Sequence, residues 1–318
     1  MVITVAAVSV ISFILIQLPP GDFLSTYVAN LTEAGTEVSA SELASLTARF
    51  GLDRPMHEQY FRWIWGILSR GDFGMSFGWN RPVSELIWNR LAFTTVLAMS
   101  AMVFTFAVGI PIGIYSALRQ YSPGDYFFTL VGYIGLATPN FLFALVLMWI
   151  GFRYFGQNVG GLFSPEFQNA PWSLARVWDM LTHLWIPVVV LGTAESAGLI
   201  RVTRAMLLDE LKKQYVVTAR AKGVAEGTLT FKYPVRIALN PVVSTIGWRL
   251  STIISGAPIV AVVLSLPSTG PLMLRALLTQ DMYLAGAFFL LLAILTVIGT
   301  FISDILLAVL DPRIRMEQ

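Results

Sequence analysis

The chain has no cysteine, only two histidines and only four lysines among its 318 residues. The missing cysteines exclude disulfides, thiolate metal sites and cysteine nucleophiles. His57 and His183 stand far apart, and neither lies in a His-Glu-x-x-His or comparable ligand set, so no metal site is expected. The Gly-x4-Gly-Lys-Ser/Thr phosphate loop is also absent, which leaves the chain no means of hydrolysing ATP by itself. Charged residues make up only 13% of the chain, about half the share of roughly 25% usual in soluble proteins. Against these scarcities stand 56% hydrophobic residues and a mean hydropathy of +0.69. The net charge of +2 carries no nucleic-acid signal, because the basic residues are segregated along the chain. The class this defines is an all-α membrane protein.

A spanning helix needs roughly 20 mostly apolar residues, and six segments approach or exceed that length. Val2 to Leu18 is the shortest, without the basic leader or small-x-small site of a signal peptide. The others are Leu91 to Leu118 with Pro111, Phe127 to Phe152 with Pro139, and Trp185 to Met206 with Pro187. Pro241 to Leu266 with Pro258 and Leu284 to Leu310 complete the set. The organisation expected is a first transmembrane helix over 1–18, an extracytoplasmic loop or cap over 19–90, a five-helix core over 91–310 and a tail over 311–318.

Six spans put both termini on one side, and the basic residues choose the side. Arg119, eight residues from Arg201 to Arg236, and Arg313 with Arg315 fall on the side of the termini. The two short loops opposite hold only Arg153, Arg176 and Arg275, so both termini are expected in the cytoplasm. In the long outer loop, Ser39-x-x-Glu42 reads as a capping box for a helix towards Phe50. A second helix is expected from Asp53 to Gly71, with Met56, Tyr60, Trp63, Ile64, Ile67 and Leu68 as its apolar stripe. Seven of nine tryptophans lie in or beside the two largest outer loops. They read as an interfacial belt, or, for Trp63 and Trp172, as contacts for a docked binding protein. His183, beside Trp185, reads as an interfacial residue.

All four lysines fall between Lys212 and Lys232, within a polar loop over 207–240. Its centre reads Tyr215-Val216-Val217-Thr218-Ala219-Arg220-Ala221-Lys222-Gly223. This resembles the cytoplasmic loop of the oligopeptide/dipeptide/nickel branch of ABC-importer permeases, where Tyr-Val-x-Thr-Ala-Arg-Ala-Lys-Gly is typical. Leu18-Pro19-Pro20-Gly21-Asp22, Gly51-Leu52-Asp53-Arg54-Pro55, Gly71-Asp72-Phe73-Gly74-x-Ser76, Ser265-Leu266-Pro267 and Leu310-Asp311-Pro312-Arg313 resemble further signatures of that branch, in the same order. The chain departs from it at Tyr233-Pro234, where the family commonly has a nearby His and no Pro, and at Ser268-Thr269-Gly270, where it tends to Gly-x-Gly.

The resemblance implies a type I ABC-importer permease fold with six transmembrane helices and a small helical cap. It also implies that Tyr215, Thr218, Ala219, Arg220, Ala221, Lys222 and Gly223 couple to an ATPase. A helix over Val217 to Lys222, broken by Gly223 from a second over Glu226 to Ile237, would enter a groove on that partner. The implied partners are a second homologous permease, two cytoplasmic ATPase subunits that hold ATP and Mg, an extracytoplasmic substrate-binding protein and the lipid bilayer, with no nucleic acid. The implied location is the plasma (inner) membrane of a bacterium or archaeon, and the solute an oligopeptide or dipeptide, with oligosaccharides or nickel complexes as alternatives. An ion-coupled secondary transporter is a remoter alternative; it predicts inverted repeats and paired intramembrane acids, and neither is evident. A membrane-embedded hydrolase would need paired catalytic groups within spans, where Asp304 is the one aspartate and no histidine occurs.

Glu195 and Arg249 are the charges set deepest in the spans, whereas Arg201 lies near a span end. Intramembrane charge normally faces a cavity or a partner. Two readings stay open: Glu195 and Arg249 line the translocation pathway, or they form an ion pair that joins two helices.

Overall fold

Helix is the regular structure throughout the described residues, relieved by one isolated antiparallel bridge between Met75 and Pro82. The computed structural model describes residues 2–17, 28, 44–45, 47–48, 51, 53–156 and 160–310. The Leu18–Asp22 signature, the Ser39–Glu42 capping box and the 311–318 tail lie outside them.

In chain order the helices are α1 (Val2–Gln17), α2 (Met56–Arg70), α3 (Val83–Leu118), α4 (Pro123–Ala137), α5 (Asn140–Phe155) and α6 (Leu174–Leu211). They continue with α7 (Gln214–Ala221), α8 (Glu226–Lys232), α9 (Pro234–Ser244), α10 (Ile246–Val263), α11 (Thr269–Leu278) and α12 (Met282–Leu310). Four are long and apolar enough to cross a membrane, namely α3, α6, α10 and α12, and the bent pair α4–α5 makes a fifth if counted as one span. The apolar α1, at 16 residues, is shorter than these.

Four expected spans differ. α3 begins at Val83 rather than Leu91, and α6 at Leu174 rather than Trp185, where Ser173 accepts the Arg176 N–H at 3.2 Å as an N-cap. The expected span over Phe127–Phe152 is two helices whose axes differ by 109°. Proline has no N–H to donate and forces its predecessor out of helical space. Thr138 is accordingly extended (φ −85°, ψ 123°), and Pro139 starts the second helix. The expected span over Pro241–Leu266 also divides, at Thr245, into α9 and α10.

The chain forms two compact units. The first joins residues 1–94 to 267–297. Its core gathers Phe13, Trp63, Phe77, Ile87, Leu284 and Phe288. Phe13 stacks on Trp63 at 5.7 Å, and Ser9 Oγ and Tyr60 Oη share a hydrogen bond of 2.8 Å. The expected stripe on α2 is thus buried through Tyr60, Trp63, Ile64 and Ile67. Its ends, Met56 and Leu68, are exposed.

The second unit joins residues 95–266 to 298–318 and is organised around α6. Small residues let backbones approach closely where apolar burial alone drives little association. A Cβ at Gly109 would lie 2.8 Å from Leu199 Cδ2, and one at Gly113 would lie 2.6 Å from Thr203 Cβ. Gly109-x-x-x-Gly113 therefore seats α3 directly on α6. Beneath the polar loop, Ala117, Leu207, Val235 and Ala238 form a second apolar cluster.

Candidate functional site

α6 ends where apolar residues give way to Lys212-Lys213. Their N–H groups close the helix on Asp209 O at 3.3 Å and Glu210 O at 3.1 Å. Lys213 turns the chain in extended conformation and α7 follows at once. Val216 anchors α7 inward and is fully buried, as is Leu229 of α8. Tyr215 Oη donates to Glu210 Oε2 at 2.6 Å. Burial, and then the Glu210 carboxylate, push its phenol above the usual tyrosine range, so Tyr215 remains a donor.

Gly223 ends this helix by a Schellman motif. Its N–H bonds Arg220 O at 3.0 Å, and the Val224 N–H reaches Ala219 O at 3.3 Å. The motif needs a left-handed residue, and Gly223 supplies it at φ +77°. Arg220 then pairs with Glu226 at the head of α8, tying the two helices across the turn. The hydrogen bond from Arg220 holds the Glu226 carboxyl below its usual range and raises the Arg220 guanidinium. Pro234 starts α9, so the expected Glu226–Ile237 helix is split at Tyr233. Outward, α7 presents Val217, Thr218, Arg220 and Ala221, followed by Lys222 and Gly223. This surface has one bulky apolar side chain, Val217, small neighbours that permit close approach, and two cations; Tyr215 and Ala219 are half-buried.

Glu195 and Arg249 meet. Arg249 Nη1 donates to Glu195 Oε2 at 2.8 Å and to the Glu195 carbonyl at 3.0 Å, while Nε donates to Thr245 Oγ1 at 3.0 Å. Side-chain exposure is 3% for Arg249 and 15% for Glu195. The break at Thr245 thus contributes the hydroxyl that holds the arginine, and α6 and α10 are pinned together at this point.

The two tryptophans part company. Trp63 is 4% exposed and donates from Nε1 to Phe73 O at 3.2 Å, leaving no face for a partner. Trp172 is 62% exposed, with the Arg176 guanidinium 4.6 Å from its ring. His183 is half-buried over the Asp179 carbonyl, 2.8 Å away.

Two polar centres escaped sequence reasoning. Buried Asp281 accepts from Ser76 Oγ at 2.5 Å, from the Gly78 N–H at 3.1 Å and from the Leu284 N–H at 3.2 Å. Burial pushes its carboxyl above the usual range despite those donors. Asp125 pairs with Arg204 at 3.0 Å across α4 and α6. Only the Ser76 signature hinted at the first. Among the described residues no group of three or more His, Cys, Asp or Glu is arranged to hold a metal ion.

These features define a helical, multi-span membrane protein with a short, exposed, basic helix following α6. The chain belongs to the family of binding-protein-dependent transport system inner membrane components, which its residues 109–316 match; residues 1–98 match that family's N-terminal part. It is 35% identical over 311 residues to the oligopeptide transport system permease protein AppB of Bacillus subtilis, covering 96% of this chain and 94% of that one. It is 30% identical over 331 residues to the dipeptide transport system permease protein DppB of Escherichia coli, covering 99% and 96%. Its fold is similar to a chain of the inward-facing MetNI methionine ABC transporter, with a TM-score of 0.55 and 14% identity over 72% of this chain and 97% of that one. The chain is a multi-pass permease subunit of a binding-protein-dependent ABC importer, and not itself an enzyme.

Proposed function

We propose that this permease carries oligopeptides or dipeptides inward, in a six-span arrangement with both termini in the cytoplasm and the α2 region as an outer cap. Two features of this chain support that arrangement: α1 carries no charged residue, and all four lysines follow α6. A second homologous permease completes the pathway, an extracytoplasmic binding protein delivers the solute, and two cytoplasmic ATPases bind ATP and Mg and hydrolyse the nucleotide. The observation that carries this reading is α7, a short helix held from below by Val216, stopped by Gly223 and exposed along Val217, Thr218, Arg220 and Ala221. Such a helix suits a groove on an ATPase, and nucleotide-driven closure of that partner would act on α6 through α7. The solute class rests on relatives named for oligopeptide and dipeptide transport. Exposed Trp172 with Arg176 is the candidate contact for the binding protein, since Trp63 is core.

Affinity purification from the native membrane in a gentle detergent, with mass spectrometry of what co-purifies, tests the assembly. A second permease with ATPases and a peptide-binding protein is expected. Recovery of the chain alone would favour an autonomous carrier, and a sugar- or nickel-binding protein would move the solute.

A further inference from the structure

The groove between α4 and α6 encloses about 330 Å³, within the range of roughly 300–1,000 Å³ typical of small-molecule sites. The two helices run antiparallel along it. Asp125 meets Arg204, a Cβ at Gly132 would lie 3.5 Å from Ala197, and one at Gly135 would lie 2.7 Å from Thr193. One end of the groove is therefore charged and the other apolar, floored by Gly132, Leu136, Ala197 and Ile200.

The charge at the polar end does not balance. Asp125 Oδ2 accepts from Arg204 Nη2 and from the Tyr121 N–H, each at 3.0 Å, while its Oδ1 is buried with no donor. Arg201 lies three residues before Arg204, hence on the same helix face, and makes no hydrogen bond or ion pair among the described residues. Arg204 Nε is buried with no acceptor. The site thus holds two guanidinium groups against one carboxylate, with the Arg204 Nε donor and the Asp125 Oδ1 acceptor unfilled. Tyr126 and Tyr133 are among the residues that line it. An apolar trough that opens onto one unpaired arginine beside a second, singly paired one fits an anionic amphiphile. Basic pockets between spanning helices bind phosphate head groups, and tyrosines favour the head-group level.

We propose that this groove is a binding site for an anionic phospholipid, with its phosphate on Arg201 and Arg204 and an acyl chain along Leu136 and Ile200. A neighbouring apolar helix would fill the trough but would offer the exposed Arg201 no counter-charge, and the lipid satisfies both ends. The proposal rests on the membrane reading and is independent of the solute.

The test uses the intact complex purified from its membrane, stripped of lipid and titrated by native mass spectrometry with phosphatidylglycerol or phosphatidylcholine of matched chains. The phosphatidylglycerol adduct is expected to persist and the phosphatidylcholine adduct to be lost. Arg201→Gln should weaken phosphatidylglycerol about tenfold, in keeping with one lost charge-assisted contact, and Arg201→Lys should restore most of it. Leu136→Trp, which blocks the trough without touching charge, should weaken it as well. Unchanged phosphatidylglycerol binding in both Arg201→Gln and Leu136→Trp overturns the proposal. Displacement by water-soluble glycerophosphoglycerol reduces the site to a phosphate binder and overturns the lipid assignment. A crosslink to the second permease from a photoreactive residue placed at Tyr126 would make the groove a subunit interface and overturn it too. Co-purified subunits are scored in every sample, so failure of the importer reading is seen separately.

Discussion

The pairing of Glu195 with Arg249 decides between a pathway and a scaffold, and it can be read by a double-mutant cycle. Arg249→Met removes the cation and leaves a carboxylate that is only 15% exposed. Breaking a buried pair from one side costs about 3–5 kcal/mol, because the surviving charge has lost its partner. Glu195→Gln is gentler, since an amide oxygen can still accept from Nη1, and about 1–2 kcal/mol is expected from exchanging a charged for a neutral hydrogen bond. The double variant buries no charge, so its cost should be about 1–3 kcal/mol, that of the remaining lost contacts. The coupling is then about 3 kcal/mol, at the top of the range for touching residues.

Thermal unfolding of the purified permease in detergent, read by the fraction that stays monodisperse, gives the four corners of the cycle. Peptide uptake by reconstituted complexes of each variant supplies the functional axis. The helix-joining role predicts that uptake follows stability, and that the double variant regains both. A double variant as unstable as the sum of the singles would refute the coupling. A Glu195→Gln protein that is fully stable but fails to transport would put the carboxylate in the pathway instead.

The Schellman turn predicts that Gly223→Val, whose Cβ would meet no atom within 4 Å, is penalised chiefly through its backbone. Forcing φ +77° on a β-branched residue costs about 1–2 kcal/mol, so ATPase co-purification should fall while Gly223→Asn keeps most of it; equal recovery in both would refute the turn's role. Because burial raises the Asp281 carboxyl, the folded state holds that proton more tightly than the unfolded one, and stability should decline as pH rises from about 4, the usual aspartate value, through the raised folded value. Asp281→Asn should flatten that slope in melting temperature, and an unchanged slope would assign it to other groups. Trp63→Ala should cost about 3–5 kcal/mol as a core truncation, whereas Trp172→Ala should cost about 1 kcal/mol or less, its lost stacking on Arg176. Only Trp172→Ala should weaken docking of the binding protein, as measured by surface plasmon resonance; undiminished docking removes Trp172 from that surface.

What the sequence showed and what it hid divide along physical lines. Long apolar runs announce themselves locally, so the existence of α3, α6, α10 and α12 was legible. Their starts were not, because Val83 to Arg90 and Leu174 to Leu184 mix polar and apolar residues, and helix there depends on what lies beside it. Proline makes the same point: Pro111, Pro187 and Pro258 sit inside helices while Pro139 ends one. The freed backbone groups of an interior proline must be satisfied by neighbours, and no window of sequence reports them. Charge behaves differently. In so apolar a chain every buried ion is an exception that requires a partner, and that requirement paired Glu195 with Arg249 across 54 residues. The same logic, applied to Asp125 and Asp281, would have demanded partners for both, yet neither stands inside an expected span and so neither looked costly. Trp63 shows two signals in conflict. Its place in the stripe with Tyr60 and Ile67 already put it on the inward face of α2, and an inward tryptophan that stacks on Phe13 cannot also meet a protein arriving from outside.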